Sequence, residues 1–240
     1  MPISKTDFVR GLQCEKMLWL DAHAPQLKII PPEVQARLDA GNVFGDDTMG
    51  IFGEYVETTA YKADGRLDYA KMLQTTQELL ASGTPVICEA AFSWYGNYCA
   101  VDILKKDGGG YALYEVKNAP TVRKEFITDL GFPRLIVQKS GVKITASYLI
   151  LSGDKPLDGA TEQTGGEKCT YNGKQYTIVD VTRAASAIER AASRRVFALG
   201  KLKKKDAPMP CVAVGEQCEK PYRCWYFEHC HGEKEKTEKE

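Results

Sequence analysis

The segment AVDILKKDGGGYALYEVK, residues 100–117, constrains the fold more than any other part of the chain. Asp107-Gly108-Gly109-Gly110 is a strong turn signal between two runs of alternating apolar residues, so a β-hairpin is expected. An even-membered loop centred on Gly108 and Gly109 sets opposite one another the residues whose numbers add to 217. Asp102 then faces Glu115, and Lys117 shares the face of Glu115 because side chains alternate along a strand. A three-residue loop instead shifts the register by one and turns Asp102 to the other face.

Facing Cβ atoms in an antiparallel pair lie about 4.5–5.5 Å apart, and like charges there destabilise the sheet. A hard divalent cation between Asp102 and Glu115 reverses that penalty, and Mg²⁺ or Mn²⁺ favours such oxygen ligands. An ammonium beside the ion, from Lys117, positions an attacking water and stabilises charge developing on a phosphate. The plainer alternative is an edge strand with one carboxylate in solvent. Glu89 is a further carboxylate in the preceding strand, equally readable as half of an ion pair.

Around the hairpin the elements follow from periodicity and caps. Ser4 with Asp7 forms a capping-box pattern opening a short helix with Phe8, Val9 and Leu12 on one side, ending near Cys14. Pro31 and Pro32 start a second helix, EVQARLDAGNVFGDD, and a third spans about Leu67 to Ser82. Strands are expected at Pro85–Phe92, Tyr98–Lys105, Tyr111–Lys117, Lys143–Leu151 and Gln175–Val181. A helix of about Val122 to Lys139 separates the third and fourth. A polar loop reaches about Lys174, and Thr182 caps a helix to about Leu199, its inner face built from Ile188, Ala192, Val196 and Leu199. The expected class is α/β, a mixed β-sheet flanked by helices.

Four cysteines stand apart. Cys218, Cys224 and Cys230 are each separated by five residues, and Cys14 lies near the start. Four thiolates satisfy a four-iron four-sulfur cluster, whereas structural zinc favours tighter C-x2–4-C pairs. Zinc stays open because His229 and His231 adjoin Cys230. Cys211 is a substitute ligand or a free thiol, and Cys88, Cys99 and Cys169 read as ordinary thiols. Tyr222, Trp225, Tyr226 and Phe227 need only a packing role.

Asp102, the glycine hairpin and Glu115-Val116-Lys117 resemble the core of the PD-(D/E)xK nuclease superfamily. The wider order, PVICEAAF, then AVDIL, then LYEVKNAPTVRKEFITDLGF, is similar to the RecB-like nucleases. In particular it resembles an uncharacterised bacterial family close to the CRISPR-associated RecB-like exonucleases, from Ile3 to Cys230. The resemblance implies a restriction-endonuclease-like core at about 84–182. A helical iron–sulfur lobe would form from both termini, joining an N-terminal helical region, 1–83, to a C-terminal region, 183–232. Together these make a single domain, 1–232, followed by a loose charged tail, 233–240. It implies Mg²⁺ or Mn²⁺ on Asp102, Glu115 and the Val116 carbonyl, Lys117 assisting hydrolysis, and a 4Fe-4S cluster on Cys14, Cys218, Cys224 and Cys230. The substrate implied is DNA, single-stranded or at ends. Two departures stand out. Such nucleases often carry a helical His after Gly, where this chain has Gly41-Asn42, and often read D-x-x-F-Q, where Asp129-Leu130-Gly131-Phe132 is followed by Pro133. A DNA-binding or assembly module with a degenerate nuclease core is therefore the alternative.

Charge is balanced, 32 basic against 32 acidic residues, so no overall basic excess announces nucleic acid. Basic residues do recur at Arg123, Lys124, Arg134, Lys139 and Lys143, and at Arg190, Arg194, Arg195 and Lys201 to Lys205, as solvated faces or as a phosphate track. MPISKTDFVRGLQ has no apolar h-region, and no apolar run nears the ~20 residues of a membrane span. The expectation is a cytoplasmic protein with no membrane partner, where clustered thiols bind metal more often than they pair. A protein partner is left open.

Overall fold

The computed structural model describes residues 1–153 and 166–237, with side chains through residue 232. Two compact units partition the chain: 38–193, and 1–37 together with 194–240.

The larger unit is built on a seven-stranded mixed sheet. Its strands are β1 (Val56–Glu57), β2 (Val86–Trp94), β3 (Asn97–Asp107), β4 (Gly110–Lys117), β5 (Ile144–Ser152), β6 (Glu167–Tyr171) and β7 (Lys174–Asp180), in spatial order β1-β2-β3-β4-β5-β7-β6. β2, β3 and β4 are antiparallel neighbours joined by tight turns, whereas β4 and β5 are parallel. A parallel pair needs a crossover, and the helix α5 (Lys124–Lys139) provides it. The β3–β4 turn has two residues, with Asp107 paired to Gly110 and Leu104 to Leu113, so the register adds to 217 as expected. The expected strands are present within a few residues, as are the helices expected at 67–82, seen as α4 (Tyr69–Ser82), and at 122–139, seen as α5.

Three elements escaped the sequence. α2 (Glu15–His23) follows α1 (Lys5–Gln13) directly, with Cys14 capping the end of one and the start of the other. β1 is only two residues long. The expected polar loop contains β6, hairpinned to β7, while 154–165 fall outside the described residues. The charged tail also differs: α7 (Phe227–Thr237) continues into it, and 238–240 fall outside the described residues.

One sheet face carries Val86, Cys88, Ile103, Ala112, Tyr114, Ile150 and Tyr176, covered by Met49, Phe44 and Phe52. α5 lies against the sheet and buries Phe126, Leu130, Phe132, Leu135, Ile136 and Val137. Pro133 sits inside α5, which stays one helix. α6 (Thr182–Leu202) passes so close to α5 that a Cβ at Gly131 would collide with Ile188 Cγ2, which is why glycine stands there. Arg134 is 7% exposed and joins Glu189 at 2.8 Å and Ser147 at 2.9 Å, tying α5 to α6 and β5. This removes Arg134 from the expected phosphate track, because the guanidinium is spent on an internal ion pair.

In the smaller unit, the capping box of α1 is present, with Ser4 and Asp7 exchanging hydrogen bonds. The two ends of the chain are stitched by polar contacts: Gln13 Nε2 donates to the carbonyls of Gln217 and Tyr222, and Trp19 Nε1 to that of Ala207. Met17, Leu20, Cys224 and Tyr226 form its small core.

Candidate active site and thiol pocket

The β3–β4 ladder stops just short of the two acids. Regular pairing of β3 with β4 ends at Ile103–Tyr114, one step before Asp102 and Glu115. There the Val116 N–H donates not to a strand carbonyl but to Asp102 Oδ2, at 2.7 Å. Since Leu104 pairs with Leu113, alternation puts Asp102 and Glu115 on the same face of the sheet.

Glu115 is 2% exposed, and a buried carboxylate needs a partner. Lys117 supplies it, with Nζ 2.9 Å from Glu115 Oε1. The same ammonium lies 2.5 Å from Asp129 Oδ2 and 5.5 Å from the Phe126 ring, both on the first turns of α5. Asp129 is the residue that sequence reasoning missed as part of this group. The sequence marked it only as the first residue of the D-x-x-F stretch, with nothing to join it to Lys117.

β2 also departs from regularity at this level. Pairing with β3 skips Glu89 and Asp102, resuming at Ala90–Val101, and Glu89 has φ 53°, a left-handed conformation rare for a side-chain-bearing residue. Buried Thr58 holds this kink: its N–H donates to the Cys88 carbonyl at 3.1 Å and its hydroxyl to the Glu89 carbonyl at 2.5 Å. Burial pushes the Cys88 thiol up to about 12, and the charges of Glu89, Glu57 and Asp102 add to the shift. Glu89, Glu57 and Asp102 thus lie close enough to Cys88 to act on its thiol. Strain of this kind concentrates at functional sites.

Among the described residues, no three His, Cys, Asp or Glu side chains converge on a point in a metal-holding arrangement. Two carboxylates and a carbonyl suit Mg²⁺ nonetheless, since that ion keeps several waters and takes further oxygens from substrate phosphate. Asn42 lies exposed on α3 (Pro32–Thr48). Of the basic residues, Arg123 and Lys124 are exposed at the start of α5, with the Arg123 guanidinium 5.6 Å from the Phe126 ring. Lys143 stands at the other end of β4, its carbonyl accepting from Tyr111, and Lys139 lies over Trp94. Arg195 and Lys203 pair with Glu15 and Asp7.

In the smaller unit, Cys14, Cys218, Cys224 and Cys230 line one pocket together with Met17, Leu20 and Tyr226. Burial pushes the Cys224 thiol up to about 11; the Tyr226 N–H opposes this, and Cys14, Cys230 and Cys218 add to it. Four cysteines, two of them buried, line this one pocket; thiolates are the soft donors that suit an iron–sulfur or zinc centre, although here they too do not converge on a single point. Cys211 is exposed, and the residues that follow it, Val212 to Val214, line the pocket in its place. Cys88 and Cys99 are core residues, and Cys169 is half-buried in β6. Packing accounts for the aromatics: Tyr226 is 1% exposed with its hydroxyl on Asp21, Trp225 meets Arg10 and Lys28, and Phe227 stacks on His231.

No helix is long and apolar enough to cross a membrane among the described residues. No known family model matches the chain, and no curated protein matches it.

Proposed function

We propose that the chain is a metal-dependent deoxyribonuclease of the PD-(D/E)xK type, an exonuclease on single-stranded DNA or DNA ends. The observation that carries this reading is the shared face of Asp102 and Glu115 where the β3–β4 ladder stops, with Lys117 against Glu115. Asp102, Glu115 and the Val116 carbonyl would hold Mg²⁺ or Mn²⁺. That ion, when bound, supplies Lewis-acid polarisation of the scissile phosphate and acidifies water. Lys117 orients the attacking water and balances charge developing on the phosphoryl oxygens. Arg123 and Lys124, exposed at the start of the helix that carries Asp129, are the candidate cations for the phosphate backbone.

The four thiols are read as ligands of a structural 4Fe-4S cluster, because their five-residue gaps exceed those of structural zinc sites. Pro133 inside α5 and exposed Asn42 favour a second reading, a DNA-binding or assembly module whose nuclease core is degenerate. Incubating the purified chain with end-labelled single-stranded DNA and Mn²⁺ separates the two. Cleavage abolished by Lys117→Ala supports the nuclease; salt-sensitive binding without cleavage, indifferent to Glu115→Ala, supports the module.

A further inference from the structure

We infer that Asp129 is the positioning residue for Lys117, holding the ammonium in place when Glu115 turns to a divalent ion; the inference rests on the nuclease reading above. Lys117 Nζ sits between two carboxylates, 2.9 Å from Glu115 Oε1 and 2.5 Å from Asp129 Oδ2. Glu115 is the buried one, 2% exposed, and it is the one that would take the ion. An ion on Glu115 replaces Lys117 as its counter-charge, and two cations crowded on one buried carboxylate repel each other. Asp129 resolves that conflict. It arrives from a different element, α5, and gives the ammonium a partner that does not depend on Glu115.

The charges support the same division of labour. Asp102, Glu115 and Asp129 against Lys117 leave the group doubly negative, which a divalent ion cancels. Neutralising Asp129 takes one carboxylate away from Lys117, so the ammonium leans more on Glu115 and competes with the ion for the same oxygens. The Phe126 ring, 5.5 Å from Nζ, limits where else the ammonium can go. Asp129 thus acts through Lys117 and touches neither ion nor phosphate.

The test is Mn²⁺ titration by calorimetry on the full chain, with no DNA present, in a two-by-two set of Asp129→Asn and Lys117→Ala. Asp129→Asn is expected to weaken Mn²⁺ about tenfold when Lys117 is present and by less than about threefold when Lys117 is already alanine. Asp129→Glu, which keeps the charge, is expected to recover most of the affinity, and unchanged thermal melting checks that the variants fold. An equal loss in both backgrounds, or none in either, overturns the inference. If Glu115→Gln abolishes Mn²⁺ binding while Asp129→Asn leaves it intact, only the role of Asp129 falls. If the wild-type chain binds no Mn²⁺, or binds it regardless of Glu115→Gln, the metal site itself falls and this role with it.

Discussion

The main-chain N–H of Val116 donates to the side chain of Asp102 at 2.7 Å, at the step where β3 and β4 stop pairing through their backbones. One carboxylate oxygen thereby substitutes for a ladder carbonyl, and a strand residue becomes both a structural acceptor and a candidate ligand. Asp102→Ala should therefore lose two things, one of them independent of any metal. Leaving the Val116 N–H without this acceptor should lower unfolding free energy by about 1–2 kcal/mol. Asp102→Asn keeps an acceptor oxygen and should recover most of that stability without recovering Mn²⁺ binding. Chemical denaturation of the three proteins, beside Mn²⁺ titration, checks the split.

Arg134 and Arg123 look alike in the sequence and should behave oppositely. Arg134 is buried against Glu189, so Arg134→Met should destabilise by about 2–4 kcal/mol and leave the salt dependence of DNA binding unchanged. Arg123 and Lys124 are exposed at the start of α5, so replacing both with alanine should barely affect stability. The same change should reduce the slope of log affinity against log salt by about 1–2. Fluorescence anisotropy at several salt concentrations reads the second effect, and urea unfolding the first.

That contrast shows where sequence reading stops. The Asp107–Gly110 turn was legible because glycines at a tight turn fix the register locally, and everything from Asp102 to Lys117 followed from it. The helix of Asp129 was legible too, but its partnership with Lys117 is a tertiary contact between β4 and α5 that no local period encodes. Arg134 meets Glu189 fifty-five residues away, so it read as one more surface cation. The left-handed backbone at Glu89 had no signal either, since it is held by Thr58 from another segment. α2 was missed because Cys14 ends one helix and begins the next with no Gly or Pro between them.

Asp7 makes the smaller unit sensitive to acid. Burial raises its carboxyl, but Lys203 and the Ser4 backbone and hydroxyl outweigh that, so it titrates below its ordinary 3.8. A lowered folded value means the stabilisation is fully present above that ordinary value and is lost as pH falls through the lowered one. Asp7→Asn should cost about 1 kcal/mol near neutral pH, and the difference from wild type should shrink as pH falls below the ordinary carboxyl value. Urea unfolding across this range measures it.

The thiol pocket yields a prediction with a visible readout. Under anaerobic purification the chain should be brown and carry about four irons per molecule, and Cys224→Ser should lose most of them. Gln13 and Trp19 should still stitch the termini, so the variant should keep its helical circular dichroism while melting earlier. Stoichiometric zinc without iron would assign the four thiols to a single ion.

The most direct measurement is cleavage of end-labelled single-stranded DNA by the purified chain with Mn²⁺, run beside Lys117→Ala and beside a chelated sample. The account predicts shortening of the strand by the wild type, at least a hundredfold less by Lys117→Ala, and none after chelation. Cleavage that persists undiminished in Lys117→Ala, or no cleavage by a wild-type chain that binds Mn²⁺ and DNA, contradicts it.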